Sequence, residues 1–297
     1  MPILPLKIPP GVFKNGTEYQ AKGRWADADL VRWHEGAMRP VGGWRQHTTT
    51  TFSGKARGML AWSDNAGDRK VAIGTAANLY VMSEEKTMYN ITPTGLAGNG
   101  SVDAFKATGY GSQLYGRHNY GTTRPDTENY QPATTWSLDN WGEYLVACST
   151  SDGKLYEWPL VFTTPAAVIT NAPVNNQALV VTSERFVFAL GAGGNNRKVQ
   201  WSDQEDNTTW APLATNQAGD IELITDGAIQ CGVRVRGQTL IITSTDAHAA
   251  TYQGAPFVYG FEKVGSACGI IGPKAVVSAD TFAVWMGKKS FFYYDGY

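Results

Sequence analysis

The four histidines, His34, His47, His118 and His248, are the first residues to question for chemistry, and their spacing offers none. No two lie within four positions, so no helical face pairs them as metal ligands, and no HExxH run occurs. His248 stands in Thr245-Asp246-Ala247-His248, which reads as a turn between strands and predicts a surface side chain. The run Gly191-Ala192-Gly193-Gly194-Asn195-Asn196 lacks the GK[ST] ending and the following helix of a phosphate loop, and is expected to be a hairpin loop. The acidic stretches Asp64-Asn65-Ala66-Gly67-Asp68 and Asp203-Gln204-Glu205-Asp206-Asn207 do not follow the calcium-loop spacing of an EF-hand. Aspartate and asparagine cap turns with their own side chains, so solvated turns are expected there, with calcium binding as the alternative. A glycoside hydrolase would need two or three carboxylates at one tunnel mouth, roughly 5–9 Å apart. Asp27, Asp139, Asp203 and Asp246 are the possible rim residues, and the sequence does not gather them. This reading assigns no catalytic residue, no cofactor or cofactor-binding residue and no metal ligand, and it expects a protein that is not an enzyme.

The elements that would position such residues are strands. Six short segments close on an aromatic residue: Tyr80, Tyr115, Tyr156, Trp201, Tyr252 and Phe292, separated by 35, 41, 45, 51 and 40 positions. A loose period near 40 in strand-type sequence is the range of propeller blades. The fold class predicted is all-β, a β-propeller-like body of repeated antiparallel blades with an extended N-terminal arm. Residues 1–50 form the arm and a small tryptophan-rich β segment, and residues 51–297 form the propeller-like domain. Ser151-Asp152-Gly153 between Tyr144-Leu145-Val146-Ala147-Cys148 and Lys154-Leu155-Tyr156-Glu157-Trp158 is the clearest hairpin signal. Asp295-Gly296 near the last residue reads as the start of another turn, so the chain is expected to be part of a longer protein.

Composition fits that class. Of 297 residues 42% are apolar and 12% aromatic, charged residues are only 17%, and glycine numbers 33, a balance suited to many turns and few surface helices. A net charge of -1 gives no overall basic footprint for nucleic acid. Cys148, Cys231 and Cys268 are distant and odd in number, without a CxxC knuckle, and read as buried free thiols in a reducing compartment. No apolar run approaches a membrane span, so no membrane insertion is expected, and the proline-interrupted start is no signal peptide.

Prolines 2, 5, 9 and 10 favour an extended arm, with Ile3, Leu4, Leu6 and Ile8 free to pack on this chain or on a neighbour. Trp25, Trp33 and Trp44 follow among Arg24, Arg32, Arg39 and Arg45. They read either as a small aromatic core edged by arginines or as an interface patch. The interface set is Ile3, Leu4, Leu6, Ile8, Trp25, Arg32, Trp33, Arg39 and Trp44.

The stretch Leu6-Lys7-Ile8-Pro9-Pro10-Gly11-Val12, Asn15-Gly16-Thr17-Glu18-Tyr19, Gly23-Arg24-Trp25, Leu30-Val31-Arg32-Trp33, Glu35-Gly36 and Arg39-Pro40-Val41-Gly42-Gly43-Trp44 resembles the N-terminus of short-tailed bacteriophage tail tube or nozzle proteins. The resemblance implies a structural virion protein of the phage tail, assembled in the host bacterial cytoplasm. It further implies a ring homo-oligomer, commonly a hexamer, below the portal and adaptor proteins. Tail fibre or spike proteins would attach nearby, with transient non-specific contact with phage DNA in the ejection conduit. The alternatives are a carbohydrate- or receptor-binding β-propeller, with Trp136, Trp141, Trp158 and Trp210 stacking on sugars, and a tunnel-mouth glycoside hydrolase.

Overall fold

The computed structural model describes residues 9–43, 45–96, 101–106 and 130–297. Contacts divide the chain into Met1–Thr49 and Thr50–Tyr297. In the first unit, β1 (Val31–His34) and β2 (Ala37–Pro40) form a hairpin that places Arg32 opposite Arg39 and Trp33 opposite Met38. Glu35 (φ 52°) and Gly36 (φ 75°) both take left-handed backbone, as a two-residue turn with the strands' own twist requires. Trp25 and Trp33 are half-buried and Arg32 and Arg39 exposed, while Ile3, Leu4, Leu6, Ile8 and Trp44 lie outside the described residues. The ring that carries an arginine in this unit is Phe13, under Arg24 at 5.6 Å.

The second unit is a five-bladed β-propeller. The first blade is β3 (Gly58–Ser63), β4 (Arg69–Gly74), β5 (Leu79–Met82) and β6 (Met88–Asn90). A two-stranded ladder, β7 (Phe105–Lys106) with β8 (Tyr130–Gln131), precedes the second blade. That blade is β9 (Trp136–Trp141), β10 (Tyr144–Ser149), β11 (Leu155–Trp158) and β12 (Ala167–Val168). The third is β13 (Ala178–Val181), β14 (Val187–Leu190), β15 (Lys198–Trp201) and β16 (Gly219–Glu222). The fourth is β17 (Ile229–Val235), β18 (Gln238–Thr243), β19 (Ala247–Gly254) and β20 (Val258–Gly265). The fifth is β21 (Val276–Ala279), β22 (Phe282–Met286) and β23 (Phe291–Tyr294). All pairings within the blades are antiparallel, and the first strands touch in succession, β3 with β9, β9 with β13, β13 with β17 and β17 with β21, so these strands line the axis.

Tyr80, Tyr156, Trp201, Tyr252 and Phe292 each fall on the third strand of a blade. Tyr115, the remaining aromatic mark, lies outside the described residues. Five of the six aromatic marks thus fall in blades, and the blade number, left open by the sequence, is five. Among the described residues between the first and second blades, β7 pairs with β8, Asp103 pairs with Lys55 and Arg57, and Ser101 O accepts from Thr134 N. The outer strands β12, β16 and β20 were not read from the sequence; β12 is only two residues long, and its two residues are exposed.

The core is a series of layers between blades. Trp62, Leu79 and Val81 of the first blade meet Trp136, Leu145, Tyr156 and Trp158 of the second. Trp141, Val146 and Leu155 then meet Leu179, Val181 and Val187 of the third. Phe186, Phe188 and Trp201 meet Ile241 and Tyr259 of the fourth, and Leu240, Ile242 and Ala247 meet Ala283, Trp285 and Tyr294 of the fifth. Because side chains alternate across a strand, a strand between two blades must be apolar at every position. β14, Val-Phe-Ala-Leu, is buried at all four. The indoles also satisfy their N–H groups: Trp62 Nε1 donates to Glu143 O at 3.0 Å and Trp136 Nε1 to Thr75 O at 2.6 Å, tying the first two blades in both directions.

Candidate functional site

In an up-and-down blade, the turn between the second and third strands and the crossing to the next blade leave at the same end. At that end, between the fourth and fifth blades, four such connections surround an open pocket of about 710 Å³. Asp226 comes from the β16–β17 crossing, and Ser244 and Thr245 from the β18–β19 turn. Gly269 comes from the β20–β21 crossing, and Lys288, Lys289 and Ser290 from the β22–β23 turn. Asp246 of the β18–β19 turn, Lys263 of β20, Ala267 and Phe292 of β23 complete the wall.

Asp246 organises this end. It is 2% exposed, and its Oδ1 accepts from Thr225 Oγ1 at 2.7 Å and Thr243 Oγ1 at 2.5 Å, while Lys263 Nζ reaches Oδ2 at 2.7 Å. Burial alone would push this carboxyl up; the bonds from Lys263, Thr243 and Thr225, with His248 nearby, outweigh it and bring the pKa down to about 2. Asp246 in turn raises the pKa of Lys263, keeping it an ammonium at the pocket wall. Gly269 packs against the β18–β19 turn so closely that a Cβ there would lie 2.0 Å from Ser244 O. Its N–H donates to Thr245 O at 3.1 Å, which fixes the floor. Lys288 and Lys289 are exposed and pair with no carboxylate among the described residues. Phe292 stacks on Trp285 at 5.7 Å and 28°, and so holds a fixed orientation at the rim.

His248 is not the surface turn histidine that the sequence predicted. It lies inside β19, 4% exposed, with Nε2 3.2 Å from Asp246 Oδ1. Burial lowers its pKa against the pull of Asp246.

A second cavity, of about 200 Å³, lies on the axis between β9, β13, β17 and residues 273–276. Asp139 of β9 lines it and is nine-tenths buried. Its Oδ2 accepts from Val181 N at 2.8 Å, and Oδ1 from Asn140 N at 2.9 Å and Arg234 Nη2 at 3.0 Å. Burial pushes this carboxyl up, with Arg234 opposing. Arg234 belongs to β17, so the ion pair joins the second blade to the fourth past the third.

The four rim aspartates are not brought together. Asp27 pairs with Lys14 at 2.7 Å in the N-terminal unit. Asp203 accepts from Gln204 N and Gln217 N beside β15, and Asp139 and Asp246 have the separate partners just given. Among the described residues Asp139 is the one acid lining the axial cavity, so they form no carboxylate pair of the hydrolase reading there. The sugar-stacking role of Trp136, Trp141, Trp158 and Trp210 is also corrected, because these side chains are 0%, 8%, 0% and 2% exposed between blades. The glycine run is the predicted connection between β14 and β15, with a 3-10 turn at Ala192–Gly194. Asp64 bonds Lys70 and Asp68 N, and Asp206 bonds Thr208 and Thr209, so both acidic turns use their carboxylates locally. Sequence reasoning missed Lys263, Lys288, Lys289 and Asp226; the one available signal was the paired lysines in a turn between two aromatic strands.

No family model and no curated protein matches this sequence. Among solved structures, it is similar to the virginiamycin B lyase from Staphylococcus aureus, at 6% identity over 79% of this chain and 68% of that one, with a TM-score of 0.43. It is similar to BBS1N, solved in complex with ARL6DN, at 13% identity over 80% and 73% of the two chains, TM-score 0.43. A streptogramin B lyase matches at 8% identity over 82% and 85%, TM-score 0.37. These findings correct the resemblance to tail nozzle proteins: the body is a five-bladed propeller, and none of these three is a phage protein. The tail tube role, the ring of copies, the portal, adaptor and fibre partners, the DNA contact and the virion location are withdrawn with it. The expectation that the chain is not an enzyme is withdrawn too; two of the three are lyases, and the likeness is one of fold alone. At these identities and scores the matches assign no activity to this chain.

Proposed function

We propose that this chain is a carbohydrate-binding β-propeller whose ligand is an acidic saccharide, held in the pocket between the fourth and fifth blades. The observation that carries the reading is the set of groups on that wall: the ammonium groups of Lys263, Lys288 and Lys289, the hydroxyls of Ser244, Thr245 and Ser290, and the ring of Phe292. Lys288 and Lys289, which pair with no carboxylate among the described residues, supply attraction to a sugar carboxylate. Hydroxyls on rigid turns supply orientation, and an aromatic face fixed by Trp285 supplies a surface for an apolar sugar face. The volume suits a ligand of one or two sugar rings. Asp246 serves the site by holding Lys263, and Asp226 restricts where the ligand's anionic group can sit. Screening the full chain against an array of neutral and uronate-bearing glycans tests this. Selective retention of acidic glycans, lost in Lys288→Ala/Lys289→Ala, is the expected result; retention of neutral glycans alone, or none, overturns it.

A further inference from the structure

The axial cavity is smaller than the outer pocket and differently built. Asp139 already gives both carboxylate oxygens to protein donors, so it offers little to an incoming ligand. What remains on the lining is donor-rich: the Lys274 ammonium, the carboxamides of Gln177 and Gln230, and Thr135. Lys274 is exposed at the cavity and has no carboxylate partner among the described residues. Gln177 makes no hydrogen bond through its side chain among the described residues, and Gln230 uses only its amide nitrogen, on Ala228 O at 3.4 Å. Nearby, Arg234 is taken up by its ion pair with Asp139, which leaves Lys274 as the cation free for a ligand.

We infer that this cavity is a binding site for a small organic carboxylate, with Lys274 as its counter-ion and the two glutamines as its positioning donors. About 200 Å³ has the room of roughly six or seven water molecules. That admits a short mono- or dicarboxylate and excludes the saccharide of the outer pocket. The chemistry is reversible binding; no bond is made or broken. The inference rests on residues separate from those of the outer pocket and stands or falls apart from it.

Isothermal titration of the full chain with acetate, succinate and inorganic phosphate, each as its sodium salt at constant ionic strength, is the test. The expected result is saturable binding of acetate or succinate, weakened about tenfold or more in Lys274→Ala. Gln230→Leu, which keeps volume and removes the amide, is expected to weaken it by a smaller factor. Lys288→Ala/Lys289→Ala removes the outer pocket's own attraction for carboxylates, and the binding assigned to Lys274 is expected to persist in that background. Circular dichroism of each variant confirms that the fold is kept. Absence of binding by both carboxylates overturns the inference, as does phosphate binding alone. Equal affinity in Lys274→Ala, or loss only in the Lys288/Lys289 variant, overturns it as well.

Discussion

Replacing Asp246 by asparagine removes one charge from the most heavily bonded carboxylate near the outer pocket. Asp246 has an ordinary value of 3.8 and a folded value of about 2. The lowered value means the folded state holds the ionised form more tightly than the unfolded chain does. Its contribution is therefore present in full above about pH 4 and is lost as pH falls through about 2. That difference corresponds to roughly 2 kcal/mol. Urea unfolding of wild type and Asp246→Asn at neutral pH should show the variant weaker by about that amount, with an unchanged m-value. The gap should shrink steadily below pH 4 and close near pH 2, because wild type then carries a neutral carboxyl too. Lys263, freed of its partner, should titrate lower in the variant. A gap that stays constant from neutral pH to pH 2 would show that Asp246 acts by shape and not by charge, and the electrostatic account of this end of the blade would be refuted.

Other outcomes follow from the interblade layers. A Cβ on Gly74 would lie 2.3 Å from Trp136 Cγ, so Gly74→Ala should cost about 1–3 kcal/mol by overpacking. Trp136→Ala should cost about 3–5 kcal/mol, and the double variant little more than Trp136→Ala alone, since the missing indole makes room for the methyl. Strict additivity in denaturant unfolding would contradict that contact. Burial pushes the Cys148, Cys231 and Cys268 thiols up, Cys231 to about 12, so a thiol reagent near pH 8 should label none of them in the native protein and all three in urea. Native labelling of Cys148 would contradict the packing of the second and third blades.

The fold was legible where the physics is local. Aromatic residues at the end of a hairpin recur because each blade's third strand must fill the layer between blades, and their spacing alone announced the propeller. Turns such as Arg236-Gly237, where both residues have positive φ, were likewise readable from glycine. Blade number was not, because the Tyr115 mark stands in strand-type sequence like the other five, and it lies outside the described residues. The site was legible least. Asp226, Thr245, Lys263 and Lys288 come from four separate connections, and only the closing of the fourth blade on the fifth makes them neighbours. His248 misled for a related reason: Thr-Asp-Ala-His reads as a polar turn, yet the strand begins at Ala247 and carries the imidazole under Asp246. The sugar-stacking tryptophans failed because composition cannot distinguish an exposed indole from one whose N–H finds a carbonyl in the next blade, as that of Trp136 does.

Binding of an acidic saccharide in the outer pocket is tested by calorimetric titration of the full chain with digalacturonate and, separately, with its dimethyl ester, in wild type and in Lys288→Ala/Lys289→Ala. The two ligands share size and hydroxyls and differ in charge. The account predicts that wild type binds the dianion at least tenfold more tightly than the ester, and that the variant loses this preference while retaining its fold. Equal binding of acid and ester by wild type, or a preference that survives removal of both lysines, would contradict it.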